Sequence, residues 1–330
     1  SHLLSHSISP VHREENKGKR GKMSFVHKPV LMNEVLNLMN LNDPRSYLDL
    51  TAGGGGHAMA MINKYPSMKA VLLDRDPDAV SHLKEKFAGM DNVTVAKSSF
   101  SELDKVLFLM KRDDVDIIFA DLGVSSHQFD TAKRGFSIQK DGPFDMRMDS
   151  ESGMTALEYI KKTEESEIKN ILSIYAQERE AGKVARVLKK CAEEGMTSTS
   201  EFANAVRSVK RYGKQGIDPA TQVFMALRMV VNDEIGQLEK MLRKGFSKLS
   251  VNGIMGIITF HSTEDRAVKN FFKDRKNNVP YYINDNDKVP YSFSPVTISG
   301  PFSAGEEEIR ENPRARSAKL RLISKSSFYN

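Results

Sequence analysis

The sequence predicts an α/β protein: a mostly parallel, doubly wound sheet with an inserted helical domain. Three observations predict it. Short apolar runs alternate with stretches of helical period between residues 30 and 121, the pattern of a parallel sheet with crossover helices. A glycine cluster, Gly53-Gly54-Gly55-Gly56, joins the first apolar run to a helix. Residues 155–212 then carry helical period and no convincing strand, before a buried-strand pattern returns at 253–260.

Each element has its own signal. Val30, Leu31, Glu34, Val35 and Leu38 recur at helical spacing. Tyr47–Leu50 reads as a strand, and the helix after the glycines carries Ala58, Met61 and Ile62. The strand Ala70–Leu73 ends at Asp74. Asp76-Pro77 is an N-cap followed by proline at the first helical position, and that helix should end near Gly89. Val93–Val95 is a third strand, leading to Phe100, and a helix spans roughly 102–110. Val115, Ile117, Ile118 and Phe119 form a fourth strand ending at Asp121. Thr155-x-x-Glu158 and Ser198-x-x-Glu201 have capping-box spacing. After Asp218-Pro219, one long helix is expected, with Val223, Leu227, Val230, Val231, Ile235, Leu238 and Leu242 on one face. Residues 277–304 read as irregular connection, and 318–323 as a final strand. The expected division is a disordered tail at 1–22, sheet domain at 23–150, helical insertion at 151–217, and returning sheet domain at 218–330.

Composition narrows the function classes. With 39% hydrophobic and 28% charged residues, the chain is ordinary for a soluble globular protein. No run approaches the roughly 18 apolar residues of a membrane span. The single Cys191 excludes internal disulfides and cysteine-based zinc sites; no metal site is expected. A reducing compartment fits. Net charge is +6, with Arg310, Arg314, Arg316, Lys319, Arg321 and Lys325 gathered in the tail. Met23 is read as the natural start, and a monomer or weak homodimer is expected.

Acids at the carboxyl ends of strands sit where open α/β sheets place their ligands. Gly53, Gly55 and Ala58 satisfy the dinucleotide pattern, and Asp74 follows at the distance of a ribose-binding acid. A nicotinamide dehydrogenase is therefore one reading. Asp49, in the strand leading into the loop, favours S-adenosylmethionine, whose ammonium such an acid holds. Gly53 and Gly55 then leave room for the nucleoside, Asp74 takes the ribose, and Phe100 packs on adenine. The stretch 117–149, rich in Gly, Ser, Asp, Arg and Phe, suits a polar ligand.

The blocks DLTAGGGGH (49–57), LDRDP (73–77), DLGVSSHQFD (121–130), RGFS (134–137), DGPFDMRMD (141–149), DPAT (218–221), ALRMVVNDE (226–234), FHSTEDRAVK (260–269) and NPRARSAKLR (312–321) closely resemble the small-subunit rRNA (cytosine-N4)-methyltransferase family. The resemblance covers nearly everything past residue 25. It implies a Rossmann-like class I methyltransferase that modifies one cytidine in the decoding region of 16S-type rRNA within the small ribosomal subunit. It implies S-adenosylmethionine contacts from Gly55, Gly56, His57, Asp74, Phe100, Asp121 and Gln128. Ala176, Gln177, Met225 and His127 depart from the family's usual residues. With the resemblance, the expected compartment is the bacterial cytoplasm, or the mitochondrion if the source is eukaryotic. A non-catalytic ribosome-assembly factor is a further alternative, but would not need the intact cofactor loop.

Transfer to an exocyclic amine needs an acceptor for N4–H and an aimed lone pair. Asp121 or the Ser125/Ser126 region is expected to supply the acceptor, with His261 at another strand end facing the same cleft. Phe136 or Phe144 is expected to stack on cytosine. Arg134, Arg147, Arg314 and Arg316 are the candidate phosphate contacts.

Overall fold

A computed structural model describes residues 28–97, 103–111, 113–210, 216–283, 286–287 and 294–327. The first half alternates as expected: α1 (Met32–Leu38), β1 (Ser46–Asp49), α2 (Gly56–Lys64), β2 (Lys69–Asp74), α3 (Pro77–Lys86), β3 (Val93–Lys97), α4 (Leu103–Met110) and β4 (Val115–Asp121). A short helix, α5 (Ser126–Asp130), follows β4. The helical part comprises α6 (Ala156–Lys162), α7 (Glu165–Tyr175), α8 (Ala181–Glu193) and α9 (Thr199–Val209). The chain then returns through α10 (Pro219–Val231), α11 (Glu234–Lys248), β5 (Leu249–Thr259), α12 (Ser262–Lys276), β6 (Val296–Ser303), α13 (Glu306–Glu311) and β7 (Lys319–Lys325).

The strand order is β3-β2-β1-β4-β5-β7-β6. The first five strands are parallel; β7 runs antiparallel to both β5 and β6. Side chains alternate between the two faces. Tyr47, Ala70, Leu72, Ile117 and Phe119 pack against α1, α2 and α3. Leu48, Val71, Leu73, Ile118 and Met255 pack under α4, α11 and α12. Strand order reverses between β1 and β4, so a crevice opens at their carboxyl ends.

Local chemistry sets the element ends. Asp76 accepts the Asp78 N–H, and Pro77 occupies the first turn of α3, where its missing N–H costs nothing. Ser198 and Glu201 form a complete capping box, and Thr155 accepts the Glu158 N–H.

Three expectations need correction. The single long helix after Asp218 is two helices, broken at Asn232 and at Asp233, whose φ is +46°. Apolar periodicity runs through the break, but the Asn232 side chain is drawn into other bonds: it donates to the Met146 carbonyl at 2.9 Å and accepts the Met148 N–H at 2.7 Å. Residues 277–304 are not wholly irregular, because they contain β6. Pro301 sits at a register shift between Ser299 and Phe302, the place where an edge strand tolerates proline. The helical core also overruns residues 151–217. It takes Phe136, Phe144, Met146 and Met148 from before and Val223, Phe224 and Leu227 from after.

Candidate active site

Asp49, Asp74 and Asp121 end β1, β2 and β4, three neighbouring strands. Asp49 is 1% exposed. It accepts the Tyr47 hydroxyl at 2.8 Å and the Thr51 N–H at 3.1 Å. Burial pushes its carboxyl up to about 7 against those hydrogen bonds. Asp74 accepts the N–H groups of Gly53 and Asp76, each at 2.9 Å, and burial pushes it up to about 6. Asp121 is pushed furthest, to about 8, by burial and then by the charges of Asp49 and Glu264. Its Oδ1 is buried without a hydrogen-bond partner. Among the described residues none of the three pairs with a lysine or arginine; Asp121 Oδ2 faces His57 Nδ1 at 3.8 Å.

His57 Nε2 lies 2.7 Å from the Val30 carbonyl, which assigns the ring proton to Nε2. Burial pushes the imidazole down to about 4, so it is neutral and turns the Nδ1 lone pair toward Asp121. Thr51 completes the junction by accepting the Asp121 N–H at 2.6 Å through Oγ1.

The glycine loop divides by role. At Gly53 (φ +53°) an added Cβ would meet nothing closer than 3.7 Å, so this point is open to a bound molecule. At Gly55 (φ +78°) a Cβ would lie 2.8 Å from Phe87, and at Gly56 2.3 Å from Pro29. The expected nucleoside room at Gly55 is therefore corrected: α3 fills it, and glycine there lets helix and loop pack. Direct contact between Asp49 and an ammonium is corrected likewise. Its carboxylate is sealed beneath the loop, bonded to the Tyr47 hydroxyl and the Thr51 N–H. Phe100 lies outside the described residues.

The segment after β4 is mostly scaffold. Ser125 caps α5, accepting the Gln128 N–H and donating its own N–H to Gln128 Oε1. That corrects Ser125 as an N4 acceptor. Gln128 is buried and donates through Nε2 to Asp76 at 2.9 Å, so it braces the site with one amide hydrogen left over. Ser126 Oγ accepts from Arg314 at 2.8 Å, and the Arg314 guanidinium lies 4.6 Å over the Phe129 ring. Ser126 thus anchors an exposed arginine at the cleft rim.

Three residues expected to meet RNA are inside the protein. Arg134 is 5% exposed, paired at 2.9 Å with both Asp76 and Asp78, and bonded to the carbonyls of Arg147 and Met148. Phe144 stacks on Phe202 with centroids 4.4 Å apart, and Phe136 belongs to the same helical core. Neither phenylalanine has a free face for a base; their apolar area is consumed in packing. Arg147 is largely committed to Asp145, at 2.8 and 3.1 Å. Arg314 and Arg316 remain exposed.

His261 caps α12 at the end of β5: its Nδ1 accepts the Glu264 N–H at 3.4 Å. Glu264 is buried, yet its carboxyl sits below the usual range. Burial raises it, and the contacts with His261, Arg228 and the Phe260 N–H outweigh that. Behind it Arg228 holds Glu234 through two hydrogen bonds, at 3.0 and 3.1 Å.

Sequence reasoning missed the supports. Tyr47 could have been found, since a period of two puts it on the same strand face as Asp49. Arg75 gives both terminal nitrogens to the Asn232 carbonyl at 3.1 Å, across a gap that no local pattern reveals.

The chain is 40% identical to the ribosomal RNA small subunit methyltransferase H of Carboxydothermus hydrogenoformans, over 93% of this chain and 100% of the relative. It is 37% identical to the protein of that name from Stenotrophomonas maltophilia K279a, over 91% of this chain and 93% of that one. Likeness to solved structures is looser. An rRNA methylase from Streptococcus thermophilus gives a TM-score of 0.36 at 10% identity, over 90% of this chain and 93% of that one. The MraW methylase family profile matches residues 24–326, and the chain belongs to that family.

Proposed function

We propose that this protein transfers a methyl group from S-adenosylmethionine to N4 of a cytidine in the decoding region of small-subunit rRNA. The observation that carries the cofactor half is the row of three carboxyls, Asp49, Asp74 and Asp121, each raised in pKa and, among the described residues, in no salt bridge with a lysine or arginine. Buried acids of that kind suit a ligand that brings positive charge with it. The residues present fit. Gly53 leaves open space, and each Asp74 oxygen keeps a lone pair for a ribose hydroxyl. The N-terminus of α2 offers unpaired N–H groups to a carboxylate.

When bound, S-adenosylmethionine supplies an electrophilic methyl on a cationic sulfur. Once a bound cation has ionised it, Asp121 accepts N4–H, aims the nitrogen, and takes the proton as the nitrogen becomes cationic. Thr51 holds the Asp121 backbone through its Oγ1, and neutral His57 adds no charge beside it. Positioning of this kind is worth roughly 7–11 kcal/mol of barrier. The target base must be unstacked first, which costs a few kcal/mol. Arg314 and Arg316, at the cleft rim and beyond it, hold the RNA backbone. The substrate half rests on the relatives' names and on the motif blocks shared with the cytosine-N4 family.

Nucleoside mass analysis tests this reading. The protein and S-adenosylmethionine are mixed with small subunits from cells lacking the modification. N4-methylcytidine should appear at one decoding-region site. Binding of S-adenosylmethionine with no N4-methylcytidine in subunits, naked rRNA or assembly intermediates would refute the substrate.

A further inference from the structure

Among the described residues, two buried polar atoms at the carboxyl edge of the sheet make no hydrogen bond of good geometry: Asp121 Oδ1, and His261 Nε2, whose nearest acceptor is Glu264 Oε1 at 3.3 Å. They end neighbouring strands. Asp121 lies opposite Ile258 in the β4–β5 register, three residues before His261. Leu122 N–H ties the two strand ends together, donating to the Ile258 carbonyl at 3.0 Å. One orphan is an acceptor. The other is a donor, because His261 Nδ1 accepts the Glu264 N–H and leaves the ring proton on Nε2. An unmet buried polar group costs about 1–3 kcal/mol, which a ligand with the complementary pair recovers.

A divalent cation does not fit this corner, although Glu234, His261 and Glu264 bring ligand atoms within 4.8 Å of one another. His261 Nε2 presents a hydrogen and not a lone pair. Arg228 already occupies Glu234 through two hydrogen bonds and stands close enough to Glu264 to favour its charged form. The two carboxylates have their cation.

We infer that Asp121 and His261 together read the Watson–Crick edge of the target cytosine, Asp121 Oδ1 accepting from N4–H while His261 Nε2 donates to N3. The inference rests on the function proposed above and adds the residue that selects the base. Cytosine offers a donor at N4 beside an acceptor at N3; uracil offers the reverse and would leave both protein atoms unmet. Glu264 is the positioning residue. Its N–H fixes the imidazole, and its Oε1 is held by the Phe260 N–H at 3.1 Å, 3.3 Å from His261 Nε2.

The test uses small subunits reconstituted with rRNA carrying either cytidine or 3-deazacytidine, which lacks the N3 acceptor, at the target. Affinity for protein loaded with S-adenosylhomocysteine and the rate of methyl transfer are both measured. Wild-type protein should disfavour 3-deazacytidine by about 5- to 150-fold in affinity. His261→Ala should bring that ratio to within about twofold. His261→Asn keeps a residue suited to capping α12 but cannot reach as far, and should lose the discrimination too. Comparing ratios cancels the altered reactivity of the 3-deaza amine. Equal treatment of both substrates by wild type, or an undiminished ratio in both variants, overturns the inference. Failure of wild type to methylate ordinary cytidine would instead overturn the function on which it rests.

Discussion

The carboxyl edge of the sheet and the loop at residues 134–149 are both dense in charge, and both look functional in the sequence. The structure separates them by what happens to that charge. In the loop it is consumed: Arg134 lies between Asp76 and Asp78, Arg147 folds onto Asp145, and Lys97 from β3 takes Asp149 at 3.1 Å. At the edge it is left open. Asp49, Asp74 and Asp121 crowd together beside backbone donors, a tyrosine and a neutral histidine, and among the described residues none is in a salt bridge with a lysine or arginine. Paired charge builds a wall, and unpaired charge builds a site.

The comparison breaks most readily at Asp121. Asp121→Asn keeps the shape but removes the proton acceptor, and turnover should fall about 10²- to 10⁴-fold. Isotope transfer into rRNA measures it, and full turnover with intact cofactor binding would sink the assignment. Next comes Arg134. Arg134→Met strands Asp76 as a buried unpaired charge and should cost about 3–5 kcal/mol in urea unfolding. An RNA contact would instead show as a flatter salt dependence of binding with little change in stability.

Titration sharpens the contrast. The three edge carboxyls sit at about 7, 6 and 8, above the roughly 3.9 of an unfolded aspartate. Between about pH 4 and 8 the native state therefore binds more protons than the unfolded chain. Their contribution makes the free protein less stable as pH rises through that window. A cationic ligand relieves the strain only once these acids ionise. The rise in Tm on adding S-adenosylmethionine should accordingly be larger at pH 8 than at pH 5.5; a flat response would mean that the edge carries no uncompensated charge. The smallest effect belongs to Arg316. Arg316→Ala should lower the slope of log affinity against log salt by about 0.7–0.9, the share of one phosphate contact.

Much of the fold was legible because its signals are local. Asp76-Pro77 opens α3 as its cap chemistry requires, and the buried runs of β1, β2 and β4 end at acids where the sheet ends. The break in α10–α11 was not legible. Its cause is Asn232 bonding to residues 84 and 86 positions away, while the apolar period runs on undisturbed. Arg134 shows the same limit at the site. The residue type suits RNA, and only its partner 58 positions earlier reveals that it is spent. The position of Asp121 at the end of β4 was legible, because a buried apolar run that stops at an acid marks a strand end whatever the partners. Ser125 was misread because an exposed catalytic hydroxyl and a helix cap look alike in a one-dimensional string.

β7 is the last of the seven strands in the chain, yet it lies inside the sheet between β5 and β6. Arg321 on β7 holds Asp265 in the first turn of α12 at 2.7 and 3.0 Å, next door to Glu264 and His261. During synthesis the first five strands leave the ribosome before this clasp exists. The clasp behind the base-reading corner therefore closes only after β7 has emerged and paired with β5. A nascent chain interrupted before residue 319 would carry the cofactor crevice and the corner's own bonds, with Asp265 still waiting for its arginine.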